Sequence, residues 1–324
     1  IEISPKIAHD TATTISEAKR LFKTVNRPNV MVKIPGTREG VPAVEECLYS
    51  GVNVNITLLF AVQAYEEVAR AYVRALERRA AEGKPVDRIA SVASFFVSRI
   101  DTLADKLLQD TLRVRAATDP ALKAKIKALG GKAAIANAKM AYELFKQIFG
   151  DARFAALKDK GARVQRPLWA STGTKNPAYS DTVYIDNLIG PETVNTVPPA
   201  TLDAFRDHGT AAMTLVRGLA ESQLAIAQLE AAGISMAAVT QELEDEGVKA
   251  FEDAFTQLLA TIDERRKNVA SSLGPLTASV SKRLSQLEAD LKTSILGSRT
   301  DQVTAADAEV RAKEAVLAKA EWDL

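Results

Sequence analysis

From Ile1 to Val197 the chain alternates short strand-like runs with longer stretches of helical spacing, and no other feature limits its fold as tightly. Such alternation marks βαβ units, in which a parallel sheet is buried under its own crossover helices. The strand-like runs are residues 1–4, 29–34 (NVMVKI), 52–59 (VNVNITLL), 89–97 (IASVASFFV), 167–171 (PLWAS) and 193–197 (TVNTV). Between them, stretches such as 11–25, 41–50 and 61–81 are rich in Ala, Glu, Arg and Leu at helical spacing. This predicts six βα units, one per strand-like run. Beyond His208 the pattern is helical through 211–230 and 236–262. A breaker cluster at 271–275 (SSLGP) precedes a charged, Ala-rich stretch, 276–324, that reads as a helical tail or hairpin.

Within 51–60 the side chains alternate, which puts Asn53, Asn55 and Thr57 on one face and Val52, Val54, Ile56 and Leu58 on the other. On an edge strand the polar face would meet water. In a parallel sheet covered by helices both faces are buried, so the amides and the hydroxyl must face something polar inside. Lys33 sits in the apolar run VMVKI, where an unpaired ammonium is costly. It is either paired or snorkelling, or else its pKa is lowered by desolvation. A neutral amine attacks carbonyls to give a carbinolamine and then an imine, so a buried strand lysine is a candidate Schiff-base nucleophile. Glu2 interrupts IEI as a rim charge or as a carboxylate that relays protons through water. Arg99, just past the run 89–97, and Lys175, within STGTKNP (171–177), are either solvated surface charges or donors to a phosphate dianion.

Any such anion must be held locally, because 42 Lys and Arg nearly balance 41 Asp and Glu and no overall field points to nucleic acid or an anionic membrane. Two distant histidines, His9 and His208, give no metal cluster, and Cys47 alone forms no internal disulfide. No apolar run approaches the roughly 20 residues of a membrane span. The expectation is a cytoplasmic protein that uses no metal and no cofactor and acts on small molecules, with self-association left open.

The segment NVMVKIPGTREGVPAVEECLYSGVNVNITLLFAVQAY (29–65) resembles the transaldolase signature, a strand lysine followed by a short loop, a helix and an N-x-T strand. The resemblance continues through SFFVSRID, GKAAIANAKMAYELFK, RPLWASTGTKNP and NTVPPATLDAFRDHG, over about residues 1–265. It implies an α/β fold of the TIM (β/α)8 type with extra C-terminal helices: a barrel domain at 1–265 and a helical tail at 266–324. The implied reaction moves a dihydroxyacetone unit between ketose and aldose phosphates through a lysine Schiff base, in the pentose phosphate pathway. By the same resemblance Lys33 is the nucleophile, Glu2 the acid that assists through water, and Thr57 the residue that holds that water. Asn55 binds the dihydroxyacetone hydroxyls, Ser94 lines the site, and Arg99, Ser171 and Lys175 belong to phosphate binding. The related fructose 6-phosphate aldolases carry Tyr where Phe96 stands and Gln where Glu2 stands. Phe96 offers no hydroxyl to protonate the enamine, so the sequence reads as a transferase, with an aldolase as the alternative.

Two features depart from the pattern. The S-x-R phosphate motif becomes Ser171-Thr172-Gly173-Thr174-Lys175, and lysine lacks the bidentate fork of arginine. The family's first two strands, which carry an acid/base Asp and a substrate-binding Asn, have no counterpart in the sequence. With no initiator Met, this predicts an incomplete six-strand barrel with open edges and impaired catalysis, or a truncated non-catalytic chain.

Overall fold

The computed structural model describes residues 1–115, 120–296 and 309–314. It divides into two compact units, Ile1–Phe255 and Thr256–Leu324. In the first, Glu2 forms a parallel bridge to Lys33. The Lys33 N–H donates to the Ile1 carbonyl at 2.9 Å and the Ile3 N–H to the Lys33 carbonyl at 3.3 Å. After a 3₁₀ turn at Pro5–Ile7 come α1 (Thr11–Val25), β1 (Val32–Pro35), α2 (Gly40–Tyr49), β2 (Val54–Leu59), α3 (Val62–Ala81) and β3 (Ser91–Phe96). Four helices follow, α4 (Ser98–Arg115), α5 (Pro120–Lys127), α6 (Ala133–Gly150) and α7 (Ala152–Lys158), and then β4 (Arg166–Ala170). The remaining elements are α8 (Val183–Asn187), β5 (Val194–Asn195), α9 (Pro199–His208), α10 (Leu219–Ala231) and α11 (Met236–Leu296).

Every strand pairing is parallel, and the order β1-β2-β3-β4-β5 follows the chain. A doubly wound sheet reverses its order at a switch point. This sheet does not reverse; it has the sequential order of a barrel wall. Among the described residues it is a sheet of five strands, extended by the bridge at Glu2. All six predicted strand-like runs fall on these positions, with their ends shifted.

Local chemistry accounts for several boundaries. Asp10 caps α1 by accepting from the Thr13 N–H, and Asn26 ends the helix in the left-handed region at φ 46°. A Cβ on Gly40 would stand 2.1 Å from the Pro35 carbonyl oxygen, so only glycine lets α2 begin directly on the end of β1. The core is knitted by aromatic rings. Phe95 of β3 meets Tyr65 of α3 and Trp169 of β4 edge-on, at 6.4 and 6.2 Å, and buried Trp169 donates Nε1–H to the Leu188 carbonyl at 3.1 Å.

Two expectations about the C-terminal half fail. Residues 271–275 do not break the chain, because α11 runs through them to Leu296. A proline inside a helix costs about 3 kcal/mol, yet its φ suits a helix and strong helix formers flank it. Residues 211–218 are not helical, and α10 starts only at Leu219. Tertiary hydrogen bonds hold that loop instead: Thr214 Oγ1 donates to the Asp186 carbonyl at 2.6 Å and the Leu215 N–H to the Ile189 carbonyl at 3.0 Å. In the second unit residues 309–314 are helical, and Arg283 pairs with Glu309 at 3.2 Å. Among the described residues, no helix is long and apolar enough to cross a membrane.

Candidate active site

Lys33 lies on β1 with its side chain 33% exposed, and its ammonium stands 3.5 Å from the Glu2 carboxylate. The charge is thus paired, by the residue to which the Lys33 backbone is also bridged. Strand pairing therefore sets this ion pair: two consecutive parallel segments place Glu2 and Lys33 side by side. Thr57 of β2 lines the same pocket as both, together with Leu58, Val248 and Phe251. Its hydroxyl is buried and, among the described residues, has no hydrogen-bond partner, an uncommon state for a buried polar group that leaves it open to a water or a substrate.

The polar row Asn53, Asn55 and Thr57 divides by hydrogen-bond partners. Asn53 is structural: its amide nitrogen donates to the Pro28 and Val30 carbonyls and its oxygen accepts from the Ala90 N–H. Asn55 stands beside Lys33 in register and accepts from Ser94 Oγ at 2.7 Å. Among the described residues its amide nitrogen has no partner, so two donors remain for a ligand. The expected alternation ends at Leu58. That residue adopts φ 59° where the β2–β3 register shifts, and it turns into the pocket beside Thr57 instead of away from it.

Past the ends of β3 and β4, Ser98 and Ser171 join through their hydroxyls at 3.0 Å and through a Ser98 N–H to Ser171 carbonyl bond, also 3.0 Å. Ser171 is held at φ 56°, an unfavourable backbone for a side chain with a Cβ. The Arg99 guanidinium lies 5.7 Å from the Phe96 ring centroid, and among the described residues it forms no ion pair. Phe96 packs on Phe60 with 5.1 Å between centroids. Lys175 is elsewhere, lining a second pocket with Asp101, Asp105, Tyr179 and Tyr184.

That second pocket was not foreseen. Asp101 accepts from the Ala134 N–H at 2.8 Å and from the Tyr184 hydroxyl at 2.9 Å. Asp105 accepts from the Gly131 N–H at 3.0 Å and the Tyr179 hydroxyl at 2.7 Å. Burial pushes the Asp101 pKa up to about 6, against the lowering effect of both hydrogen bonds. Glu244 on α11 is also raised, to about 7, by burial and by its acidic neighbours Asp245, Glu39 and Glu67, with His9 opposing. Phe251 and Val248 were missed as well, because a helix that reads only as amphipathic carries no sign of which pocket it covers. Among the described residues, no group of three or more His, Cys, Asp or Glu is placed to hold a metal ion.

The family model for transaldolase/fructose-6-phosphate aldolase matches residues 1–262. Transaldolase 2 of Nostoc sp. (strain PCC 7120) is 49% identical over 269 residues, 82% of this chain and 70% of that protein. The transaldolase of Trichodesmium erythraeum is 48% identical over 271 residues, 83% of this chain and 71% of that protein. Transaldolase 1 of Streptomyces avermitilis is 49% identical over 263 residues, 81% of this chain and 67% of that protein.

Proposed function

The chain belongs to the transaldolase/fructose-6-phosphate aldolase family, and we propose that its Lys33 pocket carries a dihydroxyacetone transfer between sugar phosphates. The observation that supports this most directly is the convergence of the Lys33 amine, the Glu2 carboxylate and the unpartnered Thr57 hydroxyl on one pocket. An amine, a carboxylate within about 4 Å and a water site are what imine formation needs. The reaction is a transferase reaction of the pentose phosphate pathway.

In this reading Nζ of Lys33 attacks the carbonyl carbon of a ketose phosphate such as fructose 6-phosphate or sedoheptulose 7-phosphate. Glu2, acting through a water on Thr57, moves protons so that the carbinolamine oxygen leaves as water and an iminium forms. The adjacent carbon–carbon bond then breaks, its electrons pass to the iminium nitrogen, and an aldose phosphate departs. The three-carbon enamine stays on Lys33 until its carbon attacks the aldehyde of glyceraldehyde 3-phosphate or erythrose 4-phosphate, after which water hydrolyses the new imine. Asn55, oriented by Ser94, donates to the hydroxyls of the three-carbon unit. Arg99 and Ser171 meet the phosphate, with Lys175 a more remote donor. We read the sheet as part of a TIM (β/α)8-type barrel whose site lies at the C-terminal strand ends. The barrel domain occupies residues 1–265 and the helical tail residues 266–324.

Borohydride reduction in the presence of fructose 6-phosphate should leave a three-carbon adduct on Lys33. Lys33→Ala should lose the adduct and about 10⁴-fold or more of the transfer rate. An adduct mapped to Lys23 or Lys84 would overturn the assignment.

A further inference from the structure

Phe251 is the side chain that the proposed chemistry leaves unexplained. It comes from α11, remote in sequence from the strands, yet its ring centroid lies 5.4 Å from Lys33 Nζ. It lines the pocket with Glu2, Lys33, Thr57, Leu58 and Val248. The helix packs closely here: a Cβ on Gly247 would stand 3.0 Å from Leu58 Cδ2 and 3.6 Å from Phe60 Cε2. The ring thus forms part of the immediate surroundings of the Lys33 amine. A group bound to Lys33 Nζ therefore lies next to the half-buried Phe251 ring.

We propose that Phe251 is a specificity-determining residue, closing over the Lys33-bound three-carbon intermediate so that it is transferred instead of released. The proposal rests on the Schiff-base reading above. The enamine has two fates. In transfer, its nucleophilic carbon forms a bond to the aldehyde carbon of the acceptor, and the aldehyde oxygen takes up a proton. In release, the same carbon takes a proton from water, the nitrogen lone pair closes a C=N bond at the adjacent carbon to give an iminium, and hydroxide is left. Water then adds to the C=N carbon, and Lys33 leaves as the amine to give free dihydroxyacetone. Release thus needs a proton delivered to the enamine carbon itself, whereas transfer needs an aldehyde at that carbon. An apolar ring at this position has no proton to give and occupies the volume that water would fill. Its face also favours the positive charge that the iminium carries. Leu58 and Val248 complete an apolar wall, while Glu2 and Thr57 form the polar side of the pocket.

The test is the ratio of dihydroxyacetone released to unit transferred, measured on the full chain with fructose 6-phosphate as donor and erythrose 4-phosphate as acceptor. Phe251→Ala should raise that ratio about tenfold or more, while the borohydride adduct on Lys33 persists. Phe251→Leu, which keeps an apolar cover, should stay near the parent ratio. If Phe251→Ala fails to fold, Phe251→Gln, long and polar, carries the same expectation as the Ala variant. A ratio unchanged within about twofold in a folded, adduct-forming Ala or Gln variant overturns the role of Phe251 and leaves Lys33 intact. An absent Lys33 adduct in the parent protein removes both readings.

Discussion

Around Lys33 the polar groups are under-satisfied, with an ion pair at 3.5 Å and a buried hydroxyl that has no partner among the described residues, whereas around Asp101 and Asp105 each of the four carboxylate oxygens has a donor. Asp101, pushed up to about 6, would by its pKa alone be taken for a catalytic acid. Its hydrogen bonds argue otherwise. They tie α4 to the first turn of α6 and to α8, so each oxygen of this carboxylate is already engaged in holding the fold. A perturbed pKa marks burial; unspent hydrogen-bonding capacity marks a site prepared for something else.

The comparison breaks first, and most visibly, at Thr57 and Glu2. Thr57→Val and Glu2→Gln should each slow transfer by about 10² to 10⁴-fold, as loss of proton-transfer machinery does. Thermal stability should stay within about 1 kcal/mol, because no hydrogen bond among the described residues is lost at the Thr57 hydroxyl. A Thr57→Val protein that unfolds early but works normally when folded would reverse the assignment of the two pockets. Asp101→Ala should do the opposite. It leaves the Ala134 N–H and the Tyr184 hydroxyl unpaired in the interior, at a cost of about 2–4 kcal/mol in denaturant unfolding, and the folded fraction should still give the Lys33 adduct.

Smaller effects sharpen the distinction. Arg99→Ala should raise KM for phosphorylated substrates about tenfold over its effect on unphosphorylated analogues. Lys175→Ala, in the other pocket, should change that ratio less. Equal losses for both substrate types in Arg99→Ala would give Arg99 a structural role. Phe96→Tyr should add measurable release of dihydroxyacetone by supplying a hydroxyl, and a variant without it would remove Phe96 from the discrimination.

The smallest effect is in the pH dependence of stability. The Asp101 carboxyl has its folded pKa raised from 3.8 to about 6, so its proton uptake favours the folded state. That contribution is fully present below about 3.8 and is lost as pH rises through about 6. The Tm difference between the parent and Asp101→Asn should therefore shift in the parent's favour as pH falls from 7 towards 4. A flat difference would show that Asp101 is not held as buried as its position implies.

Much of the first unit was written locally. The alternation of period two and helical spacing placed all six strand positions, and an N-x-T strand beside a strand lysine pointed to Asn55, Thr57 and Lys33. Those features depend on neighbours a few residues away, which is the range over which side-chain periodicity carries information. Register and long-range packing are different in kind. Glu2 meets Lys33 because two segments pair in parallel, and Leu58 enters the pocket because a left-handed residue interrupts the strand. Lys175 stands with Asp101 through the path of the 171–179 loop. Nothing in the spacing of α11 announces that Phe251 stands over Lys33, and the breaker at 271–275 failed because favourable flanking residues outweighed one proline. The sequence by itself determined the chemistry available, an amine, a carboxylate and a hydroxyl on adjacent strands. The tertiary structure decided which groups are left unsatisfied and which ring covers them, because close packing is set by the sum of contacts from distant segments that no local pattern encodes.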